Sequence, residues 1–339
     1  MCNVLVDEMV PRIIDLAGRR RRAAAAKGAV VQLPNQKPTL PMAAYEDVVP
    51  IAQDDGPNPV VPIAYPAEYA RLMGFFRAFL ASGERSPRVL DLTADLLEHN
   101  AAHYTVWHVR RQCLFALADG GDGTVLCDEM DYSSEVASGN PKNYQIWYHR
   151  RALVEKLGGA YARPELTFIQ DMLVGDAKNY HAWSHRLWVL TTYGDWDGEL
   201  AFIESLHDDD VYNNSAWNHR YSVVTLSGAV DAAVCRREVD YALARVPGAE
   251  ENESSWVFAT AFAKRDAGAA AALVAFCEAA KRDGAWGASC GCLHAALVDL
   301  YGRDDATKPQ AAACARALAS ELDVTRAKFW THKAEALTA

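Results

Sequence analysis

One short phrase recurs along this chain and constrains its fold more than any other feature. Each copy has Asn or Asp seven residues before a tryptophan and Arg three residues after it. The four tryptophans are Trp107, Trp147, Trp183 and Trp217, at intervals of 40, 36 and 34 residues, and a weaker fifth copy contains Trp256. A repeat of this length corresponds to one helical hairpin. The sequence therefore predicts an all-α fold, a solenoid of stacked hairpins.

Composition excludes several classes of function. Of 339 residues, 50% are hydrophobic and 23% are charged, which is ordinary for a folded, soluble protein. The formal net charge of −10 argues against nucleic-acid binding, which needs a broad basic surface. No apolar run approaches the roughly 18 residues of a membrane span. We therefore expect that this chain does not bind nucleic acid and has no membrane span.

The cysteines favour a reducing compartment and argue against a metal site. Eight cysteines are scattered without a paired framework, so we predict a cytoplasmic protein. The sequence Cys290-Gly-Cys292-Leu-His294 has the spacing of metal ligands but lacks a second half-site. We interpret these cysteines as inert thiols in a helix and predict no metal bound by this chain.

The first 66 residues differ from the repeats. Arginines occupy positions 19–22, but acidic residues precede them, and transit peptides are poor in acids. We therefore predict a flexible extension over residues 1–44. Prolines at 57, 59, 62 and 66 predict an extended arm over 45–66 that lies on the folded body, with the solenoid occupying 67–339.

Helical patterning begins after the arm and continues between the phrases. The first stripe consists of Tyr69, Leu72, Met73, Phe76 and Leu80. A second helix near residues 87–99 completes a hairpin, and further amphipathic helices are predicted over 129–137, 164–173, 196–206 and 231–246. Helices that carry the phrase therefore alternate with helices that do not.

The repeated positions of the phrase predict a scaffold. Asn or Ser before each Trp helix can cap its free N–H groups, as Asn213, Asn214 and Ser215 could. The arginine three residues after Trp can lie on the indole or reach an acid on the next helix. The histidines two residues after Trp recur with the scaffold, so we interpret them as structural: His149, His185 and His219.

The positions that vary between copies are the candidates for function. Lys142 and Lys178 lie five residues before Trp, at helix starts that already favour anions, so they form either a phosphate site or solvated lysines that reach a neighbouring Glu. Stacking would align the residues three and two before Trp into a polar strip suited to an anion, a peptide or a partner, although a tyrosine taken singly is more often a hydrogen-bonded core residue. No nucleophile motif is visible, which indicates part of a catalyst or a binding scaffold.

The repeats NAAHYTVWHVRR, NPKNYQIWYHRR, DAKNYHAWSHR and NNSAWNHR resemble those of the protein prenyltransferase α subunits. With the block DGPNPVVPIAY, residues 45–256 resemble the α subunit shared by protein farnesyltransferase and type I geranylgeranyltransferase. This resemblance implies a right-handed, crescent-shaped superhelix around a separate β subunit that holds Zn²⁺. It implies transfer of farnesyl or geranylgeranyl from its diphosphate to the cysteine of a CaaX-ending protein, with Mg²⁺ for farnesyl transfer.

The resemblance also assigns site residues. It makes Lys142 the catalytic contact to the diphosphate. Diphosphate or isoprenoid binding falls on Lys142, Tyr144, Asn179, Tyr180 and His181, and peptide binding on Gln145 and Tyr104. His103 departs from the Asn of the neighbouring copies, which puts only a helix cap in doubt.

Two alternatives stay open at this point. The Rab geranylgeranyltransferase α subunit has the same repeats, but the DGPNPV block favours the CaaX branch. A non-catalytic scaffold of tetratricopeptide type would repeat W-x2-L-G-x2-Y, whereas this chain repeats W-x-x-R.

Overall fold

A computed structural model describes residues 42–284 and 286–338 of this chain, which divides into two compact units at Asp195 and Trp196. The predicted extension over 1–44 lies outside the described residues except for its last three. Met42–Tyr45 form a single 3₁₀ turn. The described residues contain helices and no strands, so the prediction of an all-α fold is confirmed.

The first unit is built from seven described α-helices. They are α1 (Ala67–Ser82), α2 (Pro87–His99), α3 (Tyr104–Asp119), α4 (Val125–Gly139), α5 (Tyr144–Leu157), α6 (Ala162–Gly175) and α7 (Tyr180–Tyr193). Helices α3, α5 and α7 carry the tryptophan phrase, and each packs against the helix before it in the chain. The alternation predicted from the sequence is therefore present, and α4 and α6 extend two to four residues beyond their predicted bounds.

In the second unit, helices with and without the tryptophan phrase alternate as far as the helix of Trp256, and the helices after it carry no copy of the phrase. Its described α-helices are α8 (Glu199–Asp209), α9 (Asn214–Leu226), α10 (Ala232–Leu243), α11 (Glu253–Ala263), α12 (Ala267–Arg282), α13 (Gly291–Tyr301), α14 (Lys308–Ala317) and α15 (Ala327–Thr338). Helices α9 and α11 carry Trp217 and Trp256, which are both buried in the main core of this unit with Phe258 and Phe262. No described helix of either unit combines the length and apolar character that a membrane crossing requires.

The core of the first unit begins on α1. Leu72 and Phe76 are buried as the stripe predicted, but Leu80 is 39% exposed and Phe79 is buried instead. These side chains pack against Leu92 of α2 and Trp107 of α3. Burying a large apolar side chain contributes about 1.5–3 kcal/mol, so this cluster anchors the first hairpin.

The arm contacts the body near both of its ends. Tyr45 is buried, with its ring 5.0 Å from that of Phe75. The Ile51 N–H donates to the Gly74 carbonyl at 3.0 Å, and a Cβ on Gly74 would meet the Pro50 side chain at 3.0 Å, so the close approach favours glycine there. Val60, beyond this contact, is 96% exposed. The arm therefore lies on α1 near residue 51, leaves it around Val60 and returns to it at Tyr65, whose ring lies 5.4 Å from that of Tyr69.

Candidate functional site

Each helix of the tryptophan phrase starts at a side-chain cap. The Asn143 oxygen accepts from the Gln145 N–H at 3.0 Å, and the Asn179 oxygen accepts from the His181 and Ala182 N–H groups at 2.9 and 3.1 Å. In the fourth copy Asn213 is the cap, as predicted, whereas Asn214 and Ser215 lie in the first helical turn. A cap of this kind stabilises a helix by about 1 kcal/mol.

A shared carbonyl joins the start of one phrase helix to the start of the next. The Trp107 indole donates to the Ala101 carbonyl at 2.8 Å, and the Asn143 amide donates to the same oxygen at 2.6 Å. The Pro141 carbonyl accepts in the same way from Trp147 and from Asn179, at 2.9 and 3.1 Å. Because each cap is bonded to the preceding turn, the starts of α3, α5 and α7 lie side by side.

The predicted site residues lie along this line of helix starts. We call the set of Tyr104, Lys142, Tyr144, Gln145, Tyr180 and His181 the N-terminal row. Its tyrosines are each the first residue of a helix, and they are 70%, 65% and 76% exposed in chain order. Gln145 and His181 are half-buried. The first unit therefore brings six of the seven predicted residues to one open edge, available to a ligand or partner.

The seventh predicted residue, Asn179, has a different environment. It is only 2% exposed, and its side chain makes the two cap bonds and the bond to Pro141 described above. Its hydrogen-bonding capacity is thus used within the fold. Asn179 fixes the first turn of α7 and so sets where Tyr180 and His181 project.

Lys142 has an acidic neighbour that the sequence argument did not name. Its Nζ lies 3.6 Å from Asp176 Oδ2, and 78% of the lysine side chain is exposed. The alternative of a solvated lysine beside an acid is therefore what the structure shows, with an aspartate in place of the predicted glutamate. An ammonium at the start of α5, next to free helix N–H groups, is also an arrangement that attracts phosphate.

Beneath the row, buried carboxylates join successive repeats. Arg150 of α5 donates two hydrogen bonds to Glu165 of α6, at 2.9 and 2.6 Å, and His185 Nε2 of α7 lies 2.8 Å from the same carboxylate. The Arg150 guanidinium lies 3.6 Å from the Phe168 ring centre. The sequence offered two partners for the phrase arginine, an acid on the next helix and the indole of its own helix. The acid is confirmed for Arg150, and the ring beneath its guanidinium belongs to Phe168 and not to a tryptophan.

The same arrangement recurs one hairpin earlier, where it shifts the pKa values of a buried glutamate and a buried histidine. Arg110 and His149 both bond Glu129, at 2.7 and 2.8 Å. Burial alone would raise the pKa of the Glu129 carboxyl, but the Arg110 charge and the His149 hydrogen bond outweigh it and lower the pKa to about 2. Burial also lowers the pKa of His149, so a neutral imidazole donates to an ionised carboxylate. These histidines are structural, as predicted.

A cavity that the sequence argument missed borders the row. It has a volume of about 510 Å³ and lies between the arm and α1, with walls that include Tyr65, Tyr69, Arg77 and His103. The His103 ring lies 6.2 Å from that of Tyr104 in the row. No motif marks this cavity, because it forms only when the arm folds back on the helix.

The Cys290, Cys292 and His294 side chains are engaged within the fold. The two thiols contact the Glu250 and Glu251 carbonyls at 3.2 and 3.7 Å, and His294 Nδ1 lies 3.0 Å from the Cys290 carbonyl. Burial raises the pKa of the Cys290 thiol to about 11. Across residues 42–284 and 286–338, no group of three His, Cys, Asp or Glu side chains could hold a metal ion.

Comparisons with known proteins locate the repeats. Residues 86–117, 126–157, 163–193 and 196–227 match the protein prenyltransferase alpha subunit repeat. Each matched segment spans one hairpin, from the helix without the phrase to the helix that carries it. The repeat unit inferred from tryptophan spacing therefore coincides with the unit that this repeat match describes.

Curated relatives and a solved structure are consistent with that match. The chain is 47% identical over 102 residues to the protein farnesyltransferase/geranylgeranyltransferase type-1 subunit alpha of Arabidopsis thaliana, covering 29% of this chain and 30% of the relative. The corresponding subunit of Dictyostelium discoideum is 39% identical over 158 residues, covering 46% and 48%. The matches thus span less than half the length of these relatives.

The fold resembles that of a chain in Candida albicans protein geranylgeranyltransferase-I complexed with GGPP. The TM-score is 0.74 at 24% identity, and the match covers 86% of this chain and 98% of the other. The four repeats and the curated relatives thus make this chain similar to protein prenyltransferase alpha subunits, and its fold is that of the solved chain.

Proposed function

We propose that this chain is the α subunit of a heterodimeric CaaX protein prenyltransferase, active only with a β subunit. The observation that carries the proposal is the N-terminal row, in which Lys142, Tyr144 and Gln145 stand at the start of one helix. The relatives described above, all named as subunits shared by farnesyltransferase and geranylgeranyltransferase type 1, favour this function over a Rab-specific subunit or a non-catalytic scaffold.

In the proposed reaction, the substrate cysteine attacks the first carbon of farnesyl or geranylgeranyl diphosphate as a thiolate. A carbon–sulfur bond forms, the carbon–oxygen bond breaks, and the diphosphate leaves with the bonding electrons. Negative charge on the diphosphate oxygens grows during this step. The Lys142 ammonium, placed at the diphosphate, would stabilise that growing charge, which is the contribution that accelerates a reaction.

The other members of the row would bind and orient. We assign the Tyr144 and Tyr180 hydroxyls and the His181 ring to the diphosphate as hydrogen-bond partners. We assign the Gln145 amide to the carboxylate that ends the CaaX peptide, and the exposed Tyr104 ring to the peptide side chains. Asn179 supports this set from beneath, because it positions the first turn of α7.

We assign zinc to the partner subunit, since the described residues of this chain do not fit a zinc site. Magnesium is assigned to the complex during farnesyl transfer. We propose the cytosol as the compartment, a choice supported by the seven described cysteines, all of which are free thiols.

Co-expression with a β subunit tests the function. The purified pair is expected to transfer farnesyl or geranylgeranyl to a CaaX peptide, measured by the mass of the product, and the chain alone is expected to transfer neither. A peptide with serine in place of the cysteine serves as the control. Transfer by the chain alone would contradict the division into two subunits, and no transfer by a stable pair would contradict the function itself.

A further inference from the structure

Asp176 is held in a fixed place between α6 and α7. Its N–H donates to the Met172 carbonyl at 3.1 Å, and its own carbonyl accepts from the Asn179 N–H at 3.0 Å. One carboxylate oxygen, Oδ1, accepts from the Lys178 N–H at 3.2 Å. The turn therefore fixes the backbone and one oxygen, and leaves Oδ2 directed to Lys142 at 3.6 Å.

The turn itself does not require a carboxylate. Asn100 occupies the equivalent place before α3 and makes the same bonds: its N–H donates to Leu96, its carbonyl accepts from His103, and its side-chain oxygen accepts from Ala102 at 3.1 Å. An amide is thus sufficient for the local structure. The negative charge of Asp176 must be explained by something outside the turn, and the Lys142 ammonium is the cation it faces.

We propose that Asp176 is a positioning residue, the resident counter-ion of Lys142 that the diphosphate displaces. This inference rests on the proposed function. The pair is open, with side-chain exposures of 78% for Lys142 and 35% for Asp176. Such pairs contribute little stability, so exchange for a more highly charged anion has a small cost. Lys142 is the mobile member, because its long side chain carries the ammonium whereas the turn fixes the carboxylate.

Asp176 has two effects on the ligand under this arrangement. It competes for the ammonium when the diphosphate enters, which weakens binding of the substrate. It recaptures the ammonium when the product leaves, which speeds release of pyrophosphate. Neutralising Asp176 should therefore tighten binding of both anions and slow pyrophosphate release. The size expected for a surface pair is about twofold to fivefold in Kd.

The test uses the heterodimer carrying Asp176→Asn, which keeps the turn and removes the charge. Binding of geranylgeranyl diphosphate and of pyrophosphate is measured by titration calorimetry, and the pyrophosphate release rate by stopped flow. Asp119→Asn is the matched control, because it removes the charge of another carboxylate that pairs with an exposed lysine of the same unit, Lys156, at 2.8 Å. We expect tighter binding and slower release for Asp176→Asn, with neither effect in the control.

A double-mutant cycle separates a counter-ion from simple repulsion. In a Lys142→Ala background, Asp176→Asn should leave pyrophosphate binding unchanged, because there is no ammonium to compete for. Unchanged or weaker binding by the single variant, or tightening that persists without Lys142, would overturn the counter-ion role. A wild-type heterodimer that binds no isoprenoid diphosphate would overturn the proposed function, and this inference with it.

Discussion

The phrase helices of the two units share one scaffold and differ in what they carry at their first turns. In the second unit the Asn252 side chain caps α11 and donates to the Val211 carbonyl at 2.8 Å, which also accepts from the Trp217 indole. The first unit uses the same bonds at Asn143 and Asn179. Caps, indole bonds and cross-links are thus independent of function, since they recur wherever a hairpin must dock on the next.

The two units differ in the side chains at the first turns of these helices and in what those side chains contact. In the second unit the first turns carry Asn214, three residues before Trp217, and Ser254, two residues before Trp256, and these two side chains bond each other at 3.0 Å. In the first unit they include Tyr144 and Tyr180, whose hydroxyls make no hydrogen bond to any described residue and whose rings are largely exposed. The Asn214–Ser254 bond uses its polar groups within the fold, whereas the solvated Tyr144 and Tyr180 hydroxyls stay available to a ligand or partner.

Removing a shared buried carboxylate should break the scaffold most severely. We expect Glu165→Ala to lower the free energy of unfolding by about 3–5 kcal/mol, because Arg150 and His185 lose their partner inside the core. The measurement is chemical denaturation of the heterodimer. Glu155→Ala is the control, since Glu155 pairs with Arg151 on the surface of the same unit and should cost less than about 1 kcal/mol. Equal losses for the two variants would contradict the role of the buried carboxylate.

On a single helix, a buried tryptophan supports the fold, and the exposed tyrosine three residues before it belongs to the proposed site. Trp183 is 8% exposed and Tyr180 is 76% exposed. We expect Trp183→Ala to lower the free energy of unfolding by about 3–5 kcal/mol, because it leaves a cavity in the core. Tyr180→Ala should leave stability within about 0.5 kcal/mol and reduce prenyl transfer. The reverse pattern in paired denaturation and activity assays would place the site elsewhere.

Substituting Lys142 tests the function of the N-terminal row, because this exposed side chain is not part of the buried scaffold. We expect Lys142→Ala to slow prenyl transfer at least tenfold, about 1.4 kcal/mol of transition-state stabilisation, while the heterodimer still assembles. Rates are measured under single-turnover conditions and assembly by gel filtration. Lys156→Ala at the other end of α5, where Lys156 pairs with Asp119, should leave the rate unchanged. Loss of assembly in the first variant would make Lys142 a structural residue.

Much of this architecture could be predicted because it depends on local spacing. The interval between tryptophans predicts the hairpins, and Asn at a helix start predicts the caps, since both follow from short-range geometry. The irregular positions before Trp147 and Trp183 predicted the exposed row. These features share a cause, because a helix fixes the neighbours of each residue within a few positions.

The features that could not be predicted depend on distant parts of the chain. The Lys142–Asp176 pair joins residues 34 positions apart. The sequence predicts an acid on the next helix for the phrase arginines, but not that a histidine of the following phrase helix shares the same carboxylate. The cavity beside His103 exists because the arm returns to α1. The misassigned Leu80 has a related cause, since neighbouring helices decide which edge of an apolar stripe is covered.

The smallest expected effect is at His103, which replaces the capping asparagine of the other copies while the helix it caps still forms. Its Nδ1 accepts from the Val106 N–H at 3.4 Å, which is longer than the 3.0 Å bond made by Asn143. Asn is a preferred cap, so we expect His103→Asn to raise the free energy of unfolding by about 0.5 kcal/mol at pH 8. The gain is measured by urea denaturation, with Asn143→His as the reciprocal variant, which should lose a similar amount.

The pH dependence of that gain identifies its cause. Burial lowers the pKa of His103 below its ordinary value of 6.5, so the unfolded chain binds the proton more readily than the folded one. The folded protein therefore loses stability as the pH falls below about 6.5, and protonation of Nδ1 also abolishes the cap. Asn does not titrate. The advantage of His103→Asn should thus be larger at pH 5.5 than at pH 8, and an advantage that stays constant with pH would show that the imidazole does not act as the cap of α3.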